Sequence, residues 1–105
     1  MPRIYYVILE VIRELKPFVM ELERVDRNLA DQIKRAEQSV ALNTSEGWGS
    51  RGRTRGVRFG TACGSANETM SCIDCAMAMH DMQPPKESTL EKLRHVIGAL
   101  TIMSR

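Results

Sequence analysis

Four arginines, Arg51, Arg53, Arg55 and Arg58, fall within eight residues with no acid among them. Guanidinium groups crowded in this way suit one kind of chemistry, the charge-assisted and often bidentate grip on phosphate oxygens. Gly47, Gly49 and Gly52 precede or interrupt the run, so residues 47–55 read as a flexible loop that brings several cations to one polyanion. Such contacts supply affinity and salt dependence but no sequence reading. Trp48 stands beside the run and has two open roles, stacking on an exposed base or sealing one end of the fold. The competing account of the arginines is a solvated loop paired with Glu46, Glu68 or the acids of a neighbouring subunit.

A second group is polar where apolar residues are expected. Asn43 falls on the apolar stripe of its segment, with Glu46 one turn further and Gly47 behind it. A buried polar group must be hydrogen-bonded or it costs roughly 1–3 kcal/mol. Asn43 is therefore expected to bond the glycine loop or the third helix, and Glu46 to pair with Arg35 or an arginine of the loop. No second acid stands near enough in sequence to make a carboxylate pair for acid–base catalysis.

Cys72 and Cys75 form a C-x-x-C motif, with Cys63 nine residues before and His80 five after. Zinc needs four ligands, yet these residues lie in one expected helix, and at 1.5 Å per residue about 25 Å separates Cys63 from His80. Only a Cys72–Cys75–His80 site completed by another chain would serve. A redox dithiol draws its low thiol pKa from a helix N-terminus, not from mid-helix. Small apolar packing is the better account of the cysteines, and a capping or hydrogen-bonded role that of His80. No nucleophile–base–acid set, Walker-type loop or dinucleotide fingerprint is present, so neither an enzyme nor a cofactor is expected.

The elements that carry these residues follow from periodicity. Ile4, Ile8, Val11, Leu15, Phe18, Leu22 and Val25 step by four and three, the seam of a packed helix, with Tyr5, Ile12 and Val19 forming a second line beside it. Pro17 falls inside this helix and should kink it. Asp26 or Asn28 can cap a second helix whose stripe is Leu29, Ile33, Ala36 and Val40 and which Gly47 stops. Thr54 should cap a third helix, with Phe59, Ala66, Met70, Ile73, Met77 and His80 on one face and Ala62 and Cys63 flanking it. Its Gly56, Gly60 and Gly64 lie four apart, which suggests close approach by another helix. Pro84 and Pro85 end it. Ser88, with Glu91 in a capping box, opens a fourth helix with Leu90, Leu93, Ile97 and Leu100 inward. Short connections favour an antiparallel, up-down-up-down four-helix bundle forming one domain over residues 1–105.

Composition agrees with an all-α chain of 105 residues. Apolar residues make up 43% and charged residues 27%, aromatics number five, and β-branched runs are scarce. No apolar run reaches the roughly 18 residues of a membrane span. Residues 1–10 carry Arg3 and Glu10 and lack a small-residue cleavage site, so no secretory signal is expected. Three cysteines cannot build a disulfide framework, which favours a reducing cytoplasm. The net charge is +2; of 15 basic side chains, 11 lie outside the arginine run, against 13 acidic ones. The basicity belongs to one place.

Residues 29–68 carry Leu29, Gln32, Ile33, Arg35, Ala36, Ser39, Val40, Asn43, Glu46 and Gly47, then Arg58, Phe59, Ala62, Gly64, Ser65 and Glu68. This string resembles the bacterial four-helix-bundle family of the 23S ribosomal RNA intervening-sequence proteins, which also includes the accessory variability protein of diversity-generating retroelements. The resemblance implies a non-enzymatic bundle that assembles as a ring-like homopentamer. Members tied to a process act beside nucleic acid; the retroelement member has a strongly basic surface, from which this chain's charge departs, and pairs with a reverse transcriptase. Two functions follow as expectations. One is an accessory factor docking RNA or DNA phosphates through Arg51, Arg53, Arg55 and Arg58. The other is a structural or adaptor oligomer that recruits a protein partner, such as a reverse transcriptase, without touching nucleic acid. The Tyr5–Ile12–Val19 line and the three-glycine face are candidates for close helix contacts within or between subunits.

Overall fold

The end of the first helix is fixed by Asp26, whose non-helical backbone (φ −155°, ψ 85°) breaks the helix while its carboxylate accepts the Leu29 N–H at 3.0 Å. A computed structural model, which describes residues 1–105, thus settles the choice between Asp26 and Asn28 as cap. Four helices result: α1 (Arg3–Val25), α2 (Arg27–Trp48), α3 (Gly52–His80) and α4 (Glu87–Met103). No strand is present, and no helix is long and apolar enough to cross a membrane. α1 runs unbroken through Pro17, which is exposed, so the missing hydrogen bond falls on the solvent side.

Four boundaries differ from expectation. α2 continues past Gly47 to Trp48, and the anticipated loop over 47–55 shrinks to residues 49–51. Gly52 then opens α3 with φ 61°, a left-handed conformation that glycine adopts without strain. That turn replaces the cap expected of Thr54, which is exposed and makes no capping bond. α3 stops at His80, ahead of the two prolines, with Asp81 as a left-handed C-cap. α4 starts at Glu87, so the Ser88–Glu91 capping box does not form; Glu87 instead places an acid in the first turn.

The core of α1 is Ile4, Ile8, Val11, Leu15, Phe18 and Leu22, as its stepping predicts, while Val25 at the last turn is exposed. Of the second line, Val19 is buried and Tyr5 and Ile12 are half-buried against the same core. Of the expected α2 stripe, Ile33, Ala36 and Val40 are buried, and the seam takes in further residues that the stripe did not include. Ala30, Ile33, Glu37, Val40, Thr44 and Gly47 form it, with Ala36 and Ala41 beside them, and Leu29 and Asn43 lie only half-buried. On α3 the seam is Phe59, Ala62, Ala66, Thr69, Ile73 and Ala76, and Cys72 is buried beside it. Met70 and Met77 sit at its edge.

Small residues thus face small residues between α2 and α3, the pair in most extensive contact. The closest approach is at Gly47, where a Cβ would lie 2.8 Å from the Phe59 ring. This glycine serves packing rather than helix termination. The buried Thr44 and Thr69 hydroxyls donate to carbonyls of their own helix, Val40 at 2.7 Å and Ser65 at 2.9 Å, so neither is left unpaired. α4 adds Leu90, Leu93, Val96 and Leu100. Of the three-glycine face, only Gly56 is closely approached: a Cβ there would stand 3.2 Å from the Ser104 carbonyl oxygen, whereas Gly64 meets nothing within 4 Å. Each helix packs on its two neighbours in chain order, and α4 returns to α1, giving a body 43 × 25 × 18 Å.

Candidate nucleic-acid interface

The arginines gather at the end of the bundle where α2 stops, α3 begins and the last residues of α4 reach Gly56. Arg51 is the last residue of the short loop before α3, and Arg53, Arg55 and Arg58 occupy the first turns of the helix. Their surroundings divide them into two pairs. The Arg55 guanidinium lies 5.2 Å from the Trp48 ring centroid and 5.7 Å from that of Phe59, a cation–π contact with both rings. Arg58 pairs with Glu46 at 3.1 Å. Arg51 and Arg53 are exposed and make no ion pair or hydrogen bond to another side chain. The first turn of α3 contains no acid. Two free guanidinium groups therefore stand beside the backbone N–H groups that a helix start leaves unsatisfied, and both favour an anion.

Trp48 is 45% exposed and does not seal the bundle end; the buried Phe59 does that. Trp48 instead holds Arg55, keeping that cation at the same surface as the free pair.

Asn43 bonds neither the glycine turn nor α3. Its side-chain amide donates to the Ser39 carbonyl oxygen and Oγ, both at 3.0 Å, within α2. The link to α3 passes through Ser39, whose Oγ accepts from Ser65 Oγ at 2.7 Å. Glu46 selects Arg58 rather than Arg35, and Arg35 is exposed with no ion pair.

The cysteines and His80 are not brought together. Cys72 is buried and Cys75 exposed, so the two thiols of the motif lie on different faces of α3. Burial, chiefly, pushes the Cys72 thiol up to about 11, far from a thiolate. Cys63 approaches the Ile97 carbonyl oxygen at 3.7 Å. His80 Nε2 lies 2.8 Å from Asp26 Oδ2, which ties the end of α3 to the α1–α2 corner and matches the hydrogen-bonded role expected of it. No group of three or more His, Cys, Asp or Glu side chains is placed to hold a metal ion.

Two carboxylates away from the arginines are held below the usual range. Asp26 is lowered by the Leu29 N–H first and His80 second. Glu14 is lowered by its hydrogen bond from Lys92 and then by that from Thr89, each 2.6 Å long, and Lys92 is raised in return, chiefly by the Glu14 bond. Glu37 goes the other way: burial lifts its carboxyl to about 7. Sequence reasoning overlooked Glu37, although steps of four and three from Ile33 lead through it to Val40, Thr44 and Gly47.

Compared with known proteins, residues 7–102 match the family model described as 23S rRNA-intervening sequence protein. No curated protein and no solved structure matches the chain.

Proposed function

The chain belongs to the 23S rRNA-intervening sequence protein family, and from that premise we propose that it is a non-enzymatic accessory protein that docks on RNA or DNA phosphates through the arginine-bearing end of its bundle. The observation that carries this reading is the state of Arg51 and Arg53: two unpaired guanidinium groups at the start of α3, with no acid in that turn. Cations at a helix N-terminus oppose the helix dipole at a cost of roughly 0.3–1 kcal/mol each. A folding role does not account for them, whereas a bound polyanion turns the same arrangement into an attraction. Arg55, flanked by Trp48 and Phe59, and Arg58, shared with Glu46, extend the positive surface.

The proposal takes the helices as antiparallel and up-down-up-down. Supporting this, residue numbers fall along α2 as they rise along α3 in the pairs Glu46 with Arg58, Ser39 with Ser65 and Asp26 with His80, and Glu10 and Glu14 of α1 meet Lys92 and Thr89 of α4 in the same opposed sense. It also takes the working form as a homo-oligomer, a pentamer by resemblance, which sets several arginine-bearing ends side by side. The site of action is the cytoplasm.

A fluorescence titration of structured RNA and duplex DNA across a salt series tests the reading. With two to four phosphates engaged per chain, log affinity on duplex DNA falls against log salt with a slope of about −2 to −4. A variant with Arg51, Arg53, Arg55 and Arg58 changed to serine flattens that slope. Flat, weak binding by both proteins overturns the docking reading and points to the adaptor role, in which a protein partner is captured even after nuclease treatment.

A further inference from the structure

Glu37 is the one charged residue type inside the bundle, 8% exposed, and its Oε1 has no hydrogen-bond partner. It stands in the wall between two spaces. Inward is a cavity of about 10 Å³ lined by Ile8, Val40, Leu93 and the partner-bonded Thr69, at the lower limit for one water. Outward is a groove of about 340 Å³ between α1 and α2, with Lys16, Glu23 and Lys34 at its rim.

Every element packed on Glu37 leaves its charged form poorly compensated. On α2, Lys34 is bonded to Glu23 of α1 and only partly offsets the cost of burying the Glu37 charge. On α1, Lys16 is exposed and makes no ion pair. On α3, the Cys72 thiol lies close enough to feel the Glu37 charge, with Glu68 acting on the same thiol, and neither offers a positive charge. α4 presents Leu93 and Val96 to the cavity. A proton on the carboxyl removes the cost of burial; its loss leaves an unpaired charge in apolar surroundings.

We propose that Glu37 is a proton-dependent latch on the α1–α2 seam: protonated, it stays between the helices and the seam is closed; ionised, it turns into the groove toward the free ammonium of Lys16 and loosens α1. Burial sets the working range, because it raises the carboxyl from 4.5 to about 7. A group raised in the folded state makes stability fall as pH rises between those two values and level off above the upper one.

The test uses the intact chain and its Glu37→Gln variant, which keeps shape and size but cannot ionise. Carboxyl ¹³C NMR of the wild type follows Glu37 itself, and amide hydrogen exchange, corrected for intrinsic rates, follows α1 between pH 5 and 8. The latch predicts a Glu37 midpoint near neutrality and α1 opening that rises roughly tenfold per pH unit between about 5 and 7. In the variant that rise disappears, and any pH dependence it retains belongs to other groups. Lys16→Met raises the wild-type midpoint further by removing the partner of the ionised form. A midpoint near 4.5, or α1 exchange that rises equally in wild type and variant, overturns the proposal.

Discussion

At the corner where α1 turns into α2 and α3 stops, Asp26 takes the Leu29 N–H and binds His80, and Lys34 pairs with Glu23. At the opposite end, Arg51 and Arg53 lead α3 with no partner, and a single acid, Glu46, answers the four arginines. Both ends must close the same bundle, yet one does it with complementary charge and the other with packing, through Gly47 against Phe59. Charges satisfied within the chain are explained by folding; charges placed against the helix dipole and left open are not.

The largest effect expected is at the packed end. Phe59→Ala removes the ring that fills the bundle between α2 and α3 and should cost about 3–5 kcal/mol in chemical denaturation. Gly47→Ala sets a methyl group against that ring and should cost about 1–3 kcal/mol, since the ring cannot retreat from a fully buried site without repacking. If neither variant is destabilised, packing does not hold the arginine-bearing end.

The paired corner yields to acid. Asp26→Ala should lower Tm at neutral pH by removing both the α2 cap and the His80 partner. Asp26 and Glu14 are lowered in the folded chain, so their contribution is present above the ordinary carboxylate range and is lost as pH falls through the folded values. Thermal melts should therefore show the gap between wild type and Asp26→Ala closing in acid. A gap independent of pH would assign the effect to something other than the carboxylate.

Smaller again is the Arg58–Glu46 pair. Both side chains are about half exposed, and Glu46→Gln should change stability by less than about 1 kcal/mol. The smallest effect on folding comes from Arg51→Ser with Arg53→Ser. Thermal melts should show stability unchanged or raised by a few tenths of a kcal/mol, as the opposition to the dipole is relieved. A clear loss would mean that these arginines have a structural partner after all.

Much of this arrangement is written in local pattern. The α1 stripe from Ile4 to Leu22 and the α4 residues Leu90, Leu93 and Leu100 are large and regularly spaced, so their faces are legible without a structure. The α2 and α3 seams are legible only in part: Ile33, Val40, Phe59 and Ile73 mark them, while Ala30, Thr44, Gly47 and Ala76 are small enough to suit either surface or core. Only the mutual approach of the two helices decides. The same weakness hid Glu37, whose charge argues for solvent while its position argues for the seam.

The start of α3 is obscured in the sequence for a related reason. Glycines and arginines at 47–55 have the composition of a loop, but the burial of Phe59 and Ala62 extends the helix back to Gly52. The arginine run itself was legible from charge. Its division into a held pair and a free pair was not, since that depends on Trp48, Phe59 and Glu46 reaching across from other parts of the fold.

That division gives the most direct test of the account. Salt-dependent binding to duplex DNA and structured RNA should be measured for the wild type, for Arg51→Ser with Arg53→Ser, and for Arg55→Ser with Arg58→Ser. Losing the free pair should flatten the duplex slope by about 2, at 0.9 per phosphate contact, with helical content intact. Losing the held pair should change the slope less and disturb the packing around Trp48 and Glu46 more. Equal slopes for all three proteins, or no salt-dependent binding by any, would contradict the claim that this end of the bundle is built to meet phosphate.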